Sequence, residues 1–144
     1  MNLTYNDILI AVDGSKIAEK AFLKSIEIAK RNDANLILTY VVDTKTFSTI
    51  EPYDSAIYER SQIAAHEMLN EYEQTAKNAG FSNIRKIVKM GSPKAVLTKE
   101  IIPEEQIDLV IVGATGLGAV ERILMGSVSE NIVRHAKCDV LVVR

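Results

Sequence analysis

Cysteine is almost missing from this chain, as are a surplus of either charge and any long apolar run. The single cysteine, Cys138, excludes an internal disulfide and a cysteine-built metal cage, a pattern that fits a reducing cytoplasm. The residue itself reads as a small apolar filler. With 17 Lys+Arg against 19 Asp+Glu in 144 residues, the formal net charge is −2. The chain therefore lacks the basic stripe that nucleic-acid phosphates favour, and no nucleic-acid partner is expected. No apolar run approaches the roughly 18 residues of a membrane-crossing helix. The opening stretch, Met1 to Asp7, has neither a basic n-region nor an apolar core, so neither membrane insertion nor secretion is expected. Histidine is scarce too: His66 and His135 lie too far apart to suggest a metal pair, and each reads as a surface or interface residue. Also missing are a Gly-Lys-Ser/Thr phosphate loop and the three-glycine dinucleotide fingerprint.

What remains is an ordinary globular balance, 47% hydrophobic and 25% charged, enough for one core and one domain over residues 1–144. Short apolar runs alternate with longer amphipathic stretches, the mark of strands and helices taking turns around a parallel sheet. Ile8 to Val12, Leu36 to Val42, Leu109 to Val112 and Val140 to Val143 are nearly continuous and rich in β-branched residues, as strands covered on both faces are. Ile84 to Met90 mixes Arg85, Lys86 and Lys89 among apolar residues, which predicts an edge strand.

Between the strands, Ser15 is placed to cap a helix whose Ala18, Ala21, Phe22, Ser25 and Ala29 share one face. A second helix runs from about Ala56 to Ala79, with Gly80 able to take positive φ after it. A third opens on Ser92-Pro93, with Ser92 capping an amide, and ends at Pro103. The last carries Val128, Ile132, Val133 and Ala136. The predicted class is α/β, a three-layer αβα arrangement around a five-stranded parallel sheet in the order 3-2-1-4-5 with right-handed crossovers. The Asp43 to Ser55 segment is its one long connection, of the kind that is often functional.

Two stretches carry chemistry. Gly113-Ala114-Thr115-Gly116 follows the fourth strand directly, and Gly126-Ser127-Val128-Ser129 opens the last helix. The glycines allow a tight turn and close backbone approach by a ligand. The helix start offers unpaired N–H groups and a positive dipole end, with the Ser127 and Ser129 hydroxyls as further donors, a cradle for phosphate oxygens. The competing reading is an ordinary strand-to-loop turn with Ser127 as a helix cap. Asp13 ends the first strand, and in the order 3-2-1-4-5 strands 1 and 4 flank the switch point where open α/β sheets bind ligands. Asp13 suits a ribose hydroxyl or a Mg²⁺ ion attached to phosphates; the alternative is an Asx turn with Gly14 and Ser15. Val41 and Val42, ending strand 2, would floor the crevice beneath a flat apolar base.

These residues resemble the universal stress proteins over essentially the whole chain. That family's Gly-x2-Gly-x9-Gly-Ser/Thr motif is matched by Gly113, Gly116, Gly126 and Ser127, and its opening strand and aspartate by Ile10 to Ser15. The resemblance implies an adenine nucleotide alpha hydrolase-like fold and, in the ATP-binding branch, ATP with Mg²⁺ as ligands. It would assign Ala11, Val12, Asp13 and Val41 to base and ribose, Gly113, Ala114, Thr115 and Gly116 to ribose and phosphates, and Gly126, Ser127, Val128 and Ser129 to phosphates, with Asp13 as metal ligand. Many members carry a basic residue after the second glycine, where Leu117 stands here, so phosphate binding would lean on backbone amides or on Arg122. The family also implies a homodimer through the apolar C-terminal strand 140–143. The function expected is a small cytoplasmic, nucleotide-dependent stress-response domain with at most slow hydrolysis. The alternative is a genuine ATPase or phosphotransferase using the same crevice. Ser127 and Ser129 have no His–carboxylate partner nearby in sequence, and spacing nominates neither Glu121 nor Glu130 as a general base, so no catalytic residue is assigned. A phosphorylated receiver domain would need an acidic pair after strand 1 and an acceptor Asp after strand 3, where glycines stand instead.

Overall fold

A computed structural model describes residues 4–47, 55–117 and 125–144. Five parallel strands, β1 (Asp7–Ala11), β2 (Asn35–Asp43), β3 (Ile84–Gly91), β4 (Leu109–Gly113) and β5 (Asp139–Val143), form one sheet in the order β3-β2-β1-β4-β5. The strands are those that the run pattern predicts, with ends shifted by a residue or so, and their order is the expected 3-2-1-4-5. The strand interiors read as unbroken apolar runs because both faces are covered. Ile8, Ile10, Leu36, Leu38, Leu109 and Ile111 lie under α1 (Lys16–Asn32) and α2 (Ser55–Asn78), meeting Phe22, Ile26, Ala29, Leu69 and Ala76. Leu9, Ile37, Val110 and Val112 face the other way, against Val96, Leu97, Ile101 and Ile132. Each fully buried Leu or Ile in these layers stabilises the fold by about 1.5–3 kcal/mol.

The capping signals divide. Ser15 accepts a hydrogen bond from the Ala18 amide at 3.2 Å and so starts α1 as read. Gly80 follows α2 with φ 82°. Ser92, in contrast, makes no side-chain cap bond, although Pro93 does open the helix. Nor does Pro103 end that helix. Pro93–Ala95, Val96–Ile101 and Ile102–Glu104 run on as one helix, α3, whose middle is wound as a π-helix, with the Ile102 N–H reaching back to Leu97 O. A proline ring inside an α-helix clashes with the carbonyl four residues back and lacks an amide to donate. The wider turn just before Pro103 accommodates both defects, so the chain continues to Glu104.

α4 (Ser127–His135) leads into β5. Of the long Asp43 to Ser55 connection, Thr44–Phe47 forms one 3₁₀ turn, and Ser48, Thr49 and Pro52 lie outside the described residues. At the β3 edge, Arg85 pairs with Glu105, Lys86 with Glu73 at 3.0 Å, and Lys89 with Glu104 at 3.4 Å. These charges mark the strand as the edge its composition predicts. Among the described residues no helix is long and apolar enough to cross a membrane.

Candidate functional site

The loops after β1 and β4 emerge side by side at the carboxyl end of the sheet, because those strands are hydrogen-bonded neighbours with Ile8 opposite Leu109 and Ala11 opposite Val112. β1 stops at Ala11 opposite Thr39, whereas β2 continues to Asp43. The Val12 amide donates to Thr39 O at 3.0 Å, closing the ladder. Parallel strands alternate the direction of their backbone groups, so Val41, two residues beyond Thr39, points its N–H and C=O past the end of β1. This leaves a notch between β2 and the β4 loop.

Asp13 sits at the bottom of that notch and joins the turn after β1 to the β4 loop. Its Oδ1 accepts from the Ser15 amide at 2.9 Å, making the Asx turn. Its Oδ2 accepts from the Leu117 amide at 3.2 Å, reaching across to the β4 loop. Gly116 is what allows this reach: a Cβ there would stand 2.6 Å from Asp13 Oδ2, inside any real contact distance. The turn reading of Asp13 is thus realised on one carboxylate oxygen, while the other ties the turn to the β4 loop. Each oxygen keeps a second lone pair, so a Mg²⁺ ion that brings its phosphates and waters along still fits at this carboxylate. Among the described residues no group of three or more His, Cys, Asp or Glu converges as an all-protein metal cage would require.

The β4 loop is fastened on its far side as well. Ala114 O accepts from the Gly126 amide at 2.6 Å and from Ser129 Oγ at 2.7 Å, while the Ala114 amide donates to Val143 O at 2.7 Å. These bonds bring the start of α4 against the Gly113 to Gly116 turn. The first helical bond of α4 runs from the Glu130 amide to Gly126 O, so the N–H groups of Ser127, Val128 and Ser129 precede the ladder and stand at the positive end of the helix. Ser127 is exposed beside them, and Thr115 and Gly116 are partly exposed.

Four residues sit otherwise than the sequence suggests. Ser129 is 2% exposed and its hydroxyl proton is committed to Ala114 O, so the residue is a fastener and leaves only its amide for a ligand. Gly113 is buried: a Cβ would lie 3.1 Å from Ile17 Cγ2, so its lack of a side chain lets α1 pack close to β4. Val41 and Val42 are 8% and 6% exposed, and Val41 belongs to the core beneath α3, so backbone rather than side chain is what β2 offers the notch. Ala11 is half-buried and Val12 and Ala114 are buried along the same sheet end. Glu121 and Arg122 lie outside the described residues.

The sequence reading also missed α2 as part of this end of the molecule. A Cβ on Gly14 would come within 3.2 Å of Met68 Sδ, so α2 lies over the turn after β1. Tyr72 stacks edge-on against Phe22 at 5.0 Å, and burial raises its hydroxyl pKa against a backbone hydrogen bond from Gly14 that lowers it. Burial also raises the Tyr40 hydroxyl, helped by the charges of Asp13 and Asp43. A helix crossing over a loop so distant in sequence leaves no local spacing signal.

The family model described as "Universal stress protein family" matches residues 4–144. Relatives assigned to the universal stress proteins in Staphylococcus haemolyticus and Staphylococcus aureus are 50% identical over 142 residues, 99% of this chain and 86% of theirs. Among solved structures, universal stress protein UspA from Lactobacillus plantarum superposes with a TM-score of 0.88 at 31% identity, covering 99% of this chain and 100% of that one. A universal stress protein solved in complex with cAMP gives 0.71 at 29% identity, covering 98% of each chain. By sequence over its whole described length, and by the sheet and the glycine loop just described, the chain belongs to the universal stress protein family.

Proposed function

We propose that the notch between β2 and the β4 loop binds ATP with Mg²⁺, and that the protein acts as a cytoplasmic nucleotide-dependent stress-response domain. The observation that carries this reading is the double fastening of the β4 loop, to Asp13 on one side and to α4 on the other, which sets the free amides of Ser127, Val128 and Ser129 beside Gly116. Such a preformed row of N–H groups at a helix start suits phosphate oxygens. The Val41 N–H and C=O, pointing past the end of β1, offer a donor and an acceptor in line for the edge of a purine. Ala11 and Val12 would lie beneath the base, Gly113 and Ala114 beneath the ribose, and Thr115, Gly116 and Gly126 along the phosphates. Asp13, with a lone pair free on each oxygen, would hold Mg²⁺ or a ribose hydroxyl. When bound, the ion neutralises phosphate charge; the chain's own part is to orient the nucleotide and hold it. A relative seen with cAMP adds support for adenine recognition in this fold.

Isothermal titration of the purified protein with ATP and Mg²⁺ tests the proposal. Saturable heat that is lost in the Gly116→Val variant is the expected result. No heat, together with no nucleotide released from the protein on denaturation, overturns it.

We also propose that two copies pair along β5. Its outer edge carries Val140, Leu141, Val142 and Val143 with no charge among them, whereas the β3 edge is guarded by Arg85, Lys86 and Lys89. Antiparallel pairing across a two-fold axis would satisfy the open backbone groups. Light scattering should return twice the chain mass, and Val142→Lys should halve it; a monomer at every concentration rejects the pairing.

A further inference from the structure

Away from the notch, α3 and α4 leave between them an open-sided cavity of about 840 Å³, the size range of small-molecule sites. Three independent features coincide there. First, its rim is of one charge: Lys94, Lys99 and Lys137 line it together with His135, and no carboxylate does. Among the described residues these three lysines form no ion pair, in contrast with Lys86 and Lys89 on the nearby β3 edge, each of which has a glutamate. Second, Asn131 lines the same cavity, and its Oδ1 is buried without a hydrogen-bond partner among the described residues. Buried polar atoms are nearly always paired, so an orphan acceptor beside a cavity gains by turning toward a donor placed there. Third, the π-wound turn of α3 runs along the cavity, with Thr98 and Lys99 on the widened stretch and Ile102 just after it forming part of the wall. Single π-turns within helices are frequent at functional sites. Ile102 and Ile107, both buried, supply an apolar floor.

From these features we infer a second ligand site, between α3 and α4, for a small organic anion: a phosphate or carboxylate compound that also carries an O–H or N–H group. The lysine ammonium groups act as point charges that gather around the anionic head. The Asn131 side chain turns so that Oδ1, shut off from the cavity in the free protein, accepts from the hydroxyl or amide of the ligand, whose carbon frame rests on Ile102 and Ile107. The site is separate from the notch at Asp13 and does not depend on nucleotide binding there.

The test is an amide and side-chain NMR titration of the full chain with three probes in turn: inorganic phosphate, glycerol 3-phosphate and citrate. At about 0.15 M salt we expect saturable shifts at Thr98, Lys137 and the Asn131 side-chain amide, with a Kd of about 0.1–1 mM for glycerol 3-phosphate or citrate. A preference for glycerol 3-phosphate identifies the head group as phosphate, and a preference for citrate as carboxylate. The triple variant Lys94→Gln, Lys99→Gln, Lys137→Gln, all exposed positions, should weaken binding by about tenfold or more. Asn131→Leu should weaken glycerol 3-phosphate and citrate while leaving inorganic phosphate unchanged. The inference is overturned by an absence of saturable shifts with all three probes up to about 10 mM. Unchanged affinity in the triple variant overturns it too, as do shifts confined to Gly116, Ser127 and their neighbours.

Discussion

Two walls meet at Asp13 in the notch, the turn after β1 and the β4 loop, and they are built on different plans. The β1 wall is local: Asp13 bonds to Ser15, Ser15 caps α1 at Ala18, and the whole turn closes within six residues. The β4 wall depends on distant chain: Ala114 is held by Gly126, Ser129 and Val143, and Leu117 by Asp13, 104 residues away. A local turn forms wherever its few residues are present, while a remotely held loop exists only when the sheet and α4 are already in place. The side of the notch proposed to face phosphate is therefore the side whose shape reports the integrity of the whole fold.

That difference can be broken at its tightest point. Gly116→Val sets carbon against Asp13 Oδ2 and separates the walls; we expect nucleotide affinity to fall by more than about tenfold and the fold to lose about 1–3 kcal/mol, the cost of overpacking a fitted contact. Titration calorimetry and urea unfolding read the two effects. Asp13→Ala comes next, since it strips acceptors from both walls at once. Leaving the Ser15 and Leu117 amides without this partner should cost about 1–2 kcal/mol in urea unfolding, with Asp13→Asn recovering part of it. A matched pair then separates local from remote. Ser15→Ala and Ser129→Ala should each cost about 1 kcal/mol. Only Ser129→Ala should move the NMR signals of Thr115 and Gly116; equal movement in both variants would erase the distinction between the walls.

The smallest effect concerns Tyr40, whose hydroxyl burial and the Asp13 and Asp43 charges raise above its usual 10.0. The unfolded chain releases that proton near its usual value while the folded one still holds it. The stability contribution is thus complete below pH 10 and is lost as pH climbs through the raised folded value. Urea midpoints should fall between pH 9.5 and 11, as roughly set by that ordinary tyrosine pKa, and Tyr40→Phe should flatten the fall.

Most of the frame was legible because parallel strands buried on both faces leave unbroken apolar runs, and β3 declared itself an edge through Arg85, Lys86 and Lys89. The Asp13 and Gly116 positions were legible too, since strand ends at a switch point are fixed by strand order. Less legible were side-chain directions. Ser129 lies two residues past the exposed start of α4, and that roughly half a helix turn decides whether its hydroxyl faces ligand or Ala114. Gly113 serves Ile17, a contact between α1 and β4 that no spacing records. Pro103 misleads because the rule for proline assumes α winding, and here the preceding turn is π-wound.

The hydrogen bond from Ala114 to Val143 shapes how the molecule opens. β1 and β4 are inner strands of the sheet, so their amides should be among the last to exchange with solvent water, when the chain unfolds globally. The Ala114 amide is different: it leans on Val143 O, in a strand at the edge. Each time the end of β5 frays, Ala114 is uncovered and the remote wall of the notch loses a fastening, while the turn at Asp13 stays closed. Deuterium uptake at this one amide should therefore follow the openings of β5 and slow when that strand is covered.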